Sequence, residues 1–297
     1  MKFQKSVSLL VLMIIIFVIV ASVSGIFFNQ GPGKYEFRSL HGENVEIYGK
    51  GLYRYDSVSG ASQVIAQDIV TLFLGVPVLI FALYLARKGS LKGRLLLIGI
   101  LGYFLYTYAS YSFLVMYNPL FLVYVFLMGA SFFGFTLTMM SWDGVDLSKY
   151  FSPKLPVNFI GGFLMFLAVM IGHMWLGRII PSLAKGSVPI GLEHYTTLVI
   201  QGLDLGFVIP AAFLSGLLLI QRKPFGYLLA PVIMIKGVAL LTAIIAMIIG
   251  MVKAGVKVSM VEMALFPVFD LIAISCLILM MKNIKESDYK PNKSKVR

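Results

Sequence analysis

Eight long apolar segments take up most of this 297-residue chain, and nearly all of its charged residues fall in the gaps between them. A bilayer-spanning helix needs about 20 mostly apolar residues. The stretches 7–28, 65–86, 95–115, 120–140, 157–176, 198–220, 225–252 and 258–281 meet that length. Such helices satisfy their own backbone hydrogen bonds in lipid, so the expected fold is an all-α membrane protein, a bundle of eight transmembrane helices. A composition of 59% apolar and 13% charged residues excludes a soluble core.

The formal charge of +12 does not point to nucleic acid, because the basic residues sit in short loops beside apolar spans, where they set orientation. Counting loops alternately puts Lys5, Arg87, Lys88, Lys92, Arg94, Lys149, Lys154, Arg222, Lys223, Lys2 and the six basic residues of the tail on one side, sixteen in all. Eight lie on the other: Lys34, Arg38, Lys50, Arg54, Arg178, Lys185, Lys253 and Lys257. The positive-inside rule then places both termini in the cytoplasm, in a multi-pass protein of the cell membrane whose first partner is the lipid bilayer. The chain divides into a first helix (1–29), an outer loop (30–64), helices two to four (65–142), a cytoplasmic loop (143–156), helices five to eight (157–281) and a basic tail (282–297) expected to fray and become disordered. The first segment also fits a secretory signal peptide, with a basic start and small residues at Ala21, Ser22, Ser24 and Gly25. One cysteine, Cys276, and three scattered histidines offer no disulfide, redox pair or metal cluster, so no cofactor or metal is expected.

In the outer loop, polar and apolar residues alternate over 35–40, 45–48 and 52–55 between glycine turns, which predicts a small β-hairpin or meander. The two halves of the chain carry parallel features. Gly-Leu-Tyr-Arg-Tyr at 51–55 answers Gly-Leu-Glu-His-Tyr at 191–195, and Asp68, Pro77 and Arg87-Lys88 answer Asp204, Pro210 and Arg222-Lys223. These would make a parallel 4+4 repeat, with proline-interrupted helices at matching places, a pointer to a transporter's binding site. The stretch Gly-Leu-Tyr-Arg-Tyr-Asp at 51–56, leading into Asp-Ile-Val-Thr-Leu at 68–72, resembles multi-span membrane proteins of bacteria and archaea. That resemblance implies a multi-span fold and carries no activity with it.

A charge at membrane depth costs at least ~2.5 kcal/mol, so each needs a partner or a wet cavity. Helical rise places Lys236 and Asp270 near mid-membrane on consecutive helices, as natural partners for coupling or for packing. Asp68 and Asp204 lie just inside the outer boundary, with His173 and Glu262 at helix ends, and Tyr103 and Tyr106 in the third helix too deep for an interfacial belt. Together they would line an outward-facing polar pocket for a small solute or ion. A transporter is the leading expectation, an intramembrane enzyme acting on a lipid the second, and a scaffold or sensor subunit the third. No catalytic motif is present to name a reaction.

The topology has a direct check. After Cys276→Ser, a cysteine at Ser90 or Ser148 is expected to resist an impermeant thiol reagent in intact cells and one at Ser187 to react. The opposite pattern would invert or break the eight-span arrangement.

Overall fold

The computed structural model describes residues 3–142 and 144–289. Among them, eight helical spans are long and apolar enough to cross a membrane, as in a polytopic membrane protein. They are α1 (Gln4–Phe27), α2 (Val58–Val70) continued by α3 (Val76–Arg87), α4 (Leu91–Phe113), α5 (Phe121–Met140), α6 (Val157–Lys185), α7 (Val199–Leu203) continued by α8 (Ile209–Ile220), α9 (Pro224–Lys253) and α10 (Met260–Lys282). Two ends differ from expectation. The second span starts at Val58 instead of 65, because Ser57 caps it by accepting a hydrogen bond from Gly60 N (2.9 Å). α6 runs on past 176 to Lys185, where Gly186 takes the left-handed conformation that ends a helix.

α4 and α9 form the centre of the bundle. One apolar cluster joins α1, α3, α4 and α5 through residues such as Val11, Leu79, Tyr108 and Leu127. Another joins the start of α4 to α6, α8, α9 and α10 through Leu95, Ile160, Leu219, Val232 and Cys276. Small residues set the closest approaches, as in membrane bundles generally. A Cβ at Gly99 would fall 2.5 Å from Ile235 Cβ, and one at Gly216 would fall 2.4 Å from the Gly161 carbonyl oxygen.

The second and sixth spans are each interrupted by a five-residue π-helical turn, Thr71–Gly75 and Asp204–Val208. In each, the next amide bonds five residues back, Val76 N to the Thr71 carbonyl and Ile209 N to the Asp204 carbonyl, and a proline follows. Proline withholds the following donor, so carbonyls in the turn leave the helix ladder. The separation is constant: Thr71 to Asp204, Pro77 to Pro210, Gly89 to Arg222 (both with positive φ) and Gly93 to Gly226 are 133 residues apart in each case. Gly93 and Gly226 each press on the end of the preceding helix, at Leu85 and Leu218. At this separation, which the proline pair of the sequence comparison already had, Thr71 and not Asp68 stands against Asp204, and Tyr103 against Lys236.

The loop after α1 folds into an antiparallel hairpin, β1 (Tyr35–Arg38) with β2 (Asn44–Ile47), Tyr35 opposite Ile47. No third strand forms at 52–55. Gly49 and Gly51 take positive φ, the chain turns, and Tyr53 is drawn into the bundle, leaving an isolated bridge from Ile47 to Ser57. At the opposite end, the residues after α10 do not fray as far as Tyr289. Ile284 bridges to Phe151, and the Glu286 carboxylate accepts from Leu91 N (2.6 Å) and Lys92 N (3.3 Å) at the start of α4. Residues 290–297, where disorder was expected, lie outside the described residues.

Near its C-terminal end α1 approaches Asp68 through a small residue. A Cβ at Gly25 would lie 2.0 Å from Asp68 Oδ2 and 2.7 Å from the Tyr53 hydroxyl. Gly25→Ala is expected to destabilise the protein by about 1–3 kcal/mol, read as a lower melting temperature in detergent. An unchanged melting curve would mean that α1 does not seat on Asp68.

Candidate functional site

A cavity of about 1000 Å³ opens between α2, α4, α6, α7–α8, α9 and α10, and runs from the hairpin end of the bundle into its interior. α9 supplies one stripe of its wall at helical spacing, including Ile233, Lys236, Leu240, Ile244, Met247 and Met251, and α10 supplies another through Glu262, Phe266, Phe269 and Ala273. Most of the wall is therefore apolar.

Its polar group is a chain of contacts around Asp204. Tyr106 donates to Asp204 Oδ1 (2.8 Å) and Trp175 Nε1 donates to Oδ2 (2.8 Å), one hydrogen bond on each carboxylate oxygen. The Lys236 ammonium lies 4.0 Å from the centroid of the Tyr106 ring. Tyr106 thus bridges cation and anion, its face to one and its hydroxyl to the other. Lys236 is 7% exposed, and its Nζ has no hydrogen-bond acceptor among the described residues. A cation–π contact supplies about 2 kcal/mol when desolvated, which comes near the ~2.5 kcal/mol cost of a lysine in the membrane but leaves three donors unused. The helix itself favours this arrangement: Asp204 is the first residue of the π turn, and α8 packs on α9.

The expected Lys236–Asp270 pair does not form. Asp270 accepts from Thr242 Oγ1 (3.2 Å), and the ion pairs among the described residues are Lys34–Glu46 and Lys149–Asp146. Thr242 is six residues beyond Lys236, about 9 Å along α9. Depths counted from opposite ends did not match because α9 has 30 residues and α10 only 23.

Asp68 and Asp204 do not share a site either. Asp68 is 1% exposed, outside the cavity lining, and accepts from Tyr53 (2.5 Å) and Tyr111 (3.1 Å) behind the α2–α4 wall. Tyr103 is packed beside it, its hydroxyl bonded to Gln67 Nε2 (2.7 Å) and Thr71 Oγ1 (2.9 Å); Gln67 also donates to Thr107 (3.1 Å), and those two do reach the cavity. Glu262 lines the mouth but is committed to its own helix in a capping box with Ser259. His173 is exposed on the outside of α6, in a shallow groove with Pro210 and Phe213, away from the cavity. Of the expected set, then, Asp204, Lys236, Tyr106 and Glu262 line the cavity, and Asp68, Asp270, Tyr103 and His173 do not.

Sequence reasoning missed Trp175 and the mouth. The Gly-Leu-Tyr-Arg-Tyr-Asp stretch and its counterpart at 191–195 meet across the opening. Tyr195 donates to Asp56 Oδ1 (3.0 Å), His194 bonds the Tyr55 carbonyl (2.9 Å) and Ser57 donates to Glu193. Gly60 leaves room for the Tyr195 hydroxyl, which a Cβ there would meet at 2.2 Å. The pairing of these two motifs was visible as a likeness in sequence, but nothing local said that they touch.

Asp56 is 1% exposed. Burial, with Glu193 nearby, pushes its carboxyl up to about 7, against the lowering effect of the bonds from Met116 N and Tyr195. A raised acid keeps its proton in the folded state after the unfolded chain has lost it. Stability therefore falls as pH rises from about 4 to about 7 and levels off above. Asp56→Asn is expected to melt several degrees higher than the wild type at pH 8 and to show no such gain near pH 4. A gain that does not change with pH would mean that Asp56 titrates normally.

No protein-family model matches the chain, and no curated protein or solved structure matches it.

Proposed function

We propose that this protein is a multi-pass transporter of the cell membrane, with both termini in the cytoplasm and its cavity open to the outer face, and that the Tyr106–Lys236–Asp204 group is where its ligand is held. The observation that carries the proposal is the pair of π-turn, proline-interrupted spans at a constant separation of 133 residues, one of which presents Asp204 to the cavity. Interrupted helices at corresponding places in two halves are how many secondary transporters build their sites. The same register supports a parallel 4+4 repeat in this chain. A π turn followed by proline is a point where a helix bends with few ladder bonds to break. Two such points, one on each side of the central α4–α9 pair, suit alternating exposure of the cavity to the two faces.

Gly237 gives a test that needs no known ligand, since it lines the cavity and a Cβ there meets nothing within 4 Å. With Cys276→Ser and Gly237→Cys, an impermeant thiol reagent is expected to label from outside in intact cells and, to a smaller extent, from the other face in inverted vesicles. Combining Pro77→Ala with Pro210→Ala should reduce the inner-face labelling severalfold. Labelling from one face alone would describe a fixed pocket, as in a receptor or an enzyme, and end the transport proposal.

A further inference from the structure

We infer that the ligand of this cavity is a long-chain amphiphilic anion, a single carboxylate or phosphate head on an extended hydrocarbon body, with its head at Lys236. The inference rests on the transport proposal only for what happens to the ligand after it binds.

Three observations meet here. The first is the charge left open. Asp204 already accepts from both Tyr106 and Trp175, whereas Lys236 Nζ has three donors, a ring face and no acceptor among the described residues. An anion fills that vacancy with charge-assisted hydrogen bonds; a cation would meet the Lys236 ammonium beside a carboxylate that already accepts one hydrogen bond on each oxygen. The second is the wall. From Lys236 to Met251 the cavity follows α9 for about 22 Å at helical rise, bordered by Met170, Ile171, Met174, Leu240, Ile244 and Met247. That is the length of a hydrocarbon chain against a mostly apolar wall, with Ser59, Gln63, Gln67 and Ser110 of α2 and α4 as the polar residues on the other side. Methionines on two facing helices suit a flexible apolar body.

The third is the route in. α6 and α10 both border the cavity yet are not a principal packing pair among the described residues, and they meet through Phe166 and Phe269, with ring centroids 6.0 Å apart. Toward the hairpin end, Met260, Val261 and Met263 at the start of α10 are exposed. A ligand already dissolved in the bilayer reaches the cavity between these helices without crossing water. Tyr106 then acts as the inner stop. Its ring covers Lys236 while its hydroxyl is held by Asp204 on the π turn, so an arriving head displaces the ring and leaves Asp204 held by Trp175 alone.

Direct binding of radiolabelled oleate to the purified full-length protein in detergent tests this, with oleyl alcohol, oleylamine and acetate as competitors and oleoyl lysophosphatidate to separate carboxylate from phosphate heads. Saturable binding of oleate or lysophosphatidate is expected, with the alcohol and the amine weaker by about tenfold or more and acetate without effect. Lys236→Met should bring the anion down to the level of the alcohol. Because that variant removes a buried charge and can alter folding, Gly237→Cys capped with N-ethylmaleimide serves as a second block, leaving Lys236 in place and filling the cavity beside it. Equal binding of anion, alcohol and amine, or full competition by acetate, overturns the inference. Absent binding alongside two-sided labelling at Gly237 removes the ligand class and leaves transport standing. Binding with one-sided labelling does the reverse.

Discussion

A carboxylate or an ammonium inside an apolar bundle has to be satisfied by neighbours, since neither lipid nor a packed core can do it. This protein meets that constraint in two ways, and the difference organises the whole molecule. In the half containing α1 to α5, Asp68 is enclosed completely: Tyr53 reaches down from the outer loop, Tyr111 comes across from α4, and Gly25 of α1 presses on the carboxylate. The Asp68 cluster is sealed, although α2 and α4 also wall the cavity. In the half containing α6 to α10, Asp204 is satisfied by Tyr106 and Trp175, but Lys236 receives only the face of a ring, and the space beside it is empty of protein. One buried polar cluster holds the bundle together, and the other is left one partner short.

The two interrupted spans share a backbone pattern and differ in their chemistry. At matched places, the first half presents Thr71 and Tyr103, bonded hydroxyl to hydroxyl, and the second half presents Asp204 and Lys236, bridged by Tyr106. One π-turn and proline frame carries a neutral hydrogen-bonded pair and the other a charged, separated one. Charge is costly in this setting, and a packed neutral pair would serve stability at least as well. The charged version therefore makes most sense as a place for something that binds, which is why the same residues carry both the transport proposal and the ligand class.

The mouth follows from the same sorting. Its two motifs, 51–56 and 191–195, cross the opening through hydrogen bonds from side chains, not through a continuous sheet or helix. The buried Asp56, its carboxyl pushed up by desolvation, is one of the acceptors in this closure.

Span number, the hairpin, the prolines at 77 and 210 and the small cluster of deep ionisable residues were all legible in the sequence, because hydropathy, turn glycines and proline act within a few residues of themselves. The two prolines were already paired at the 133-residue separation, but the acids were paired at 136, since likeness of acids was weighed above the position of the turns that fix the backbone. Which buried groups meet was not legible at all. Lys236 faces Tyr106 and not Asp270, Asp68 turns to Tyr53 and Tyr111 and not to Asp204, and Trp175 joins from α6. Each of these depends on helix rotation and relative depth, and a one-residue turn of a helix moves a side chain by about 100°. An apolar sequence leaves those quantities open, because lipid accepts any apolar face equally well. Only the packing of small residues such as Gly99, Gly161 and Gly25 settles them.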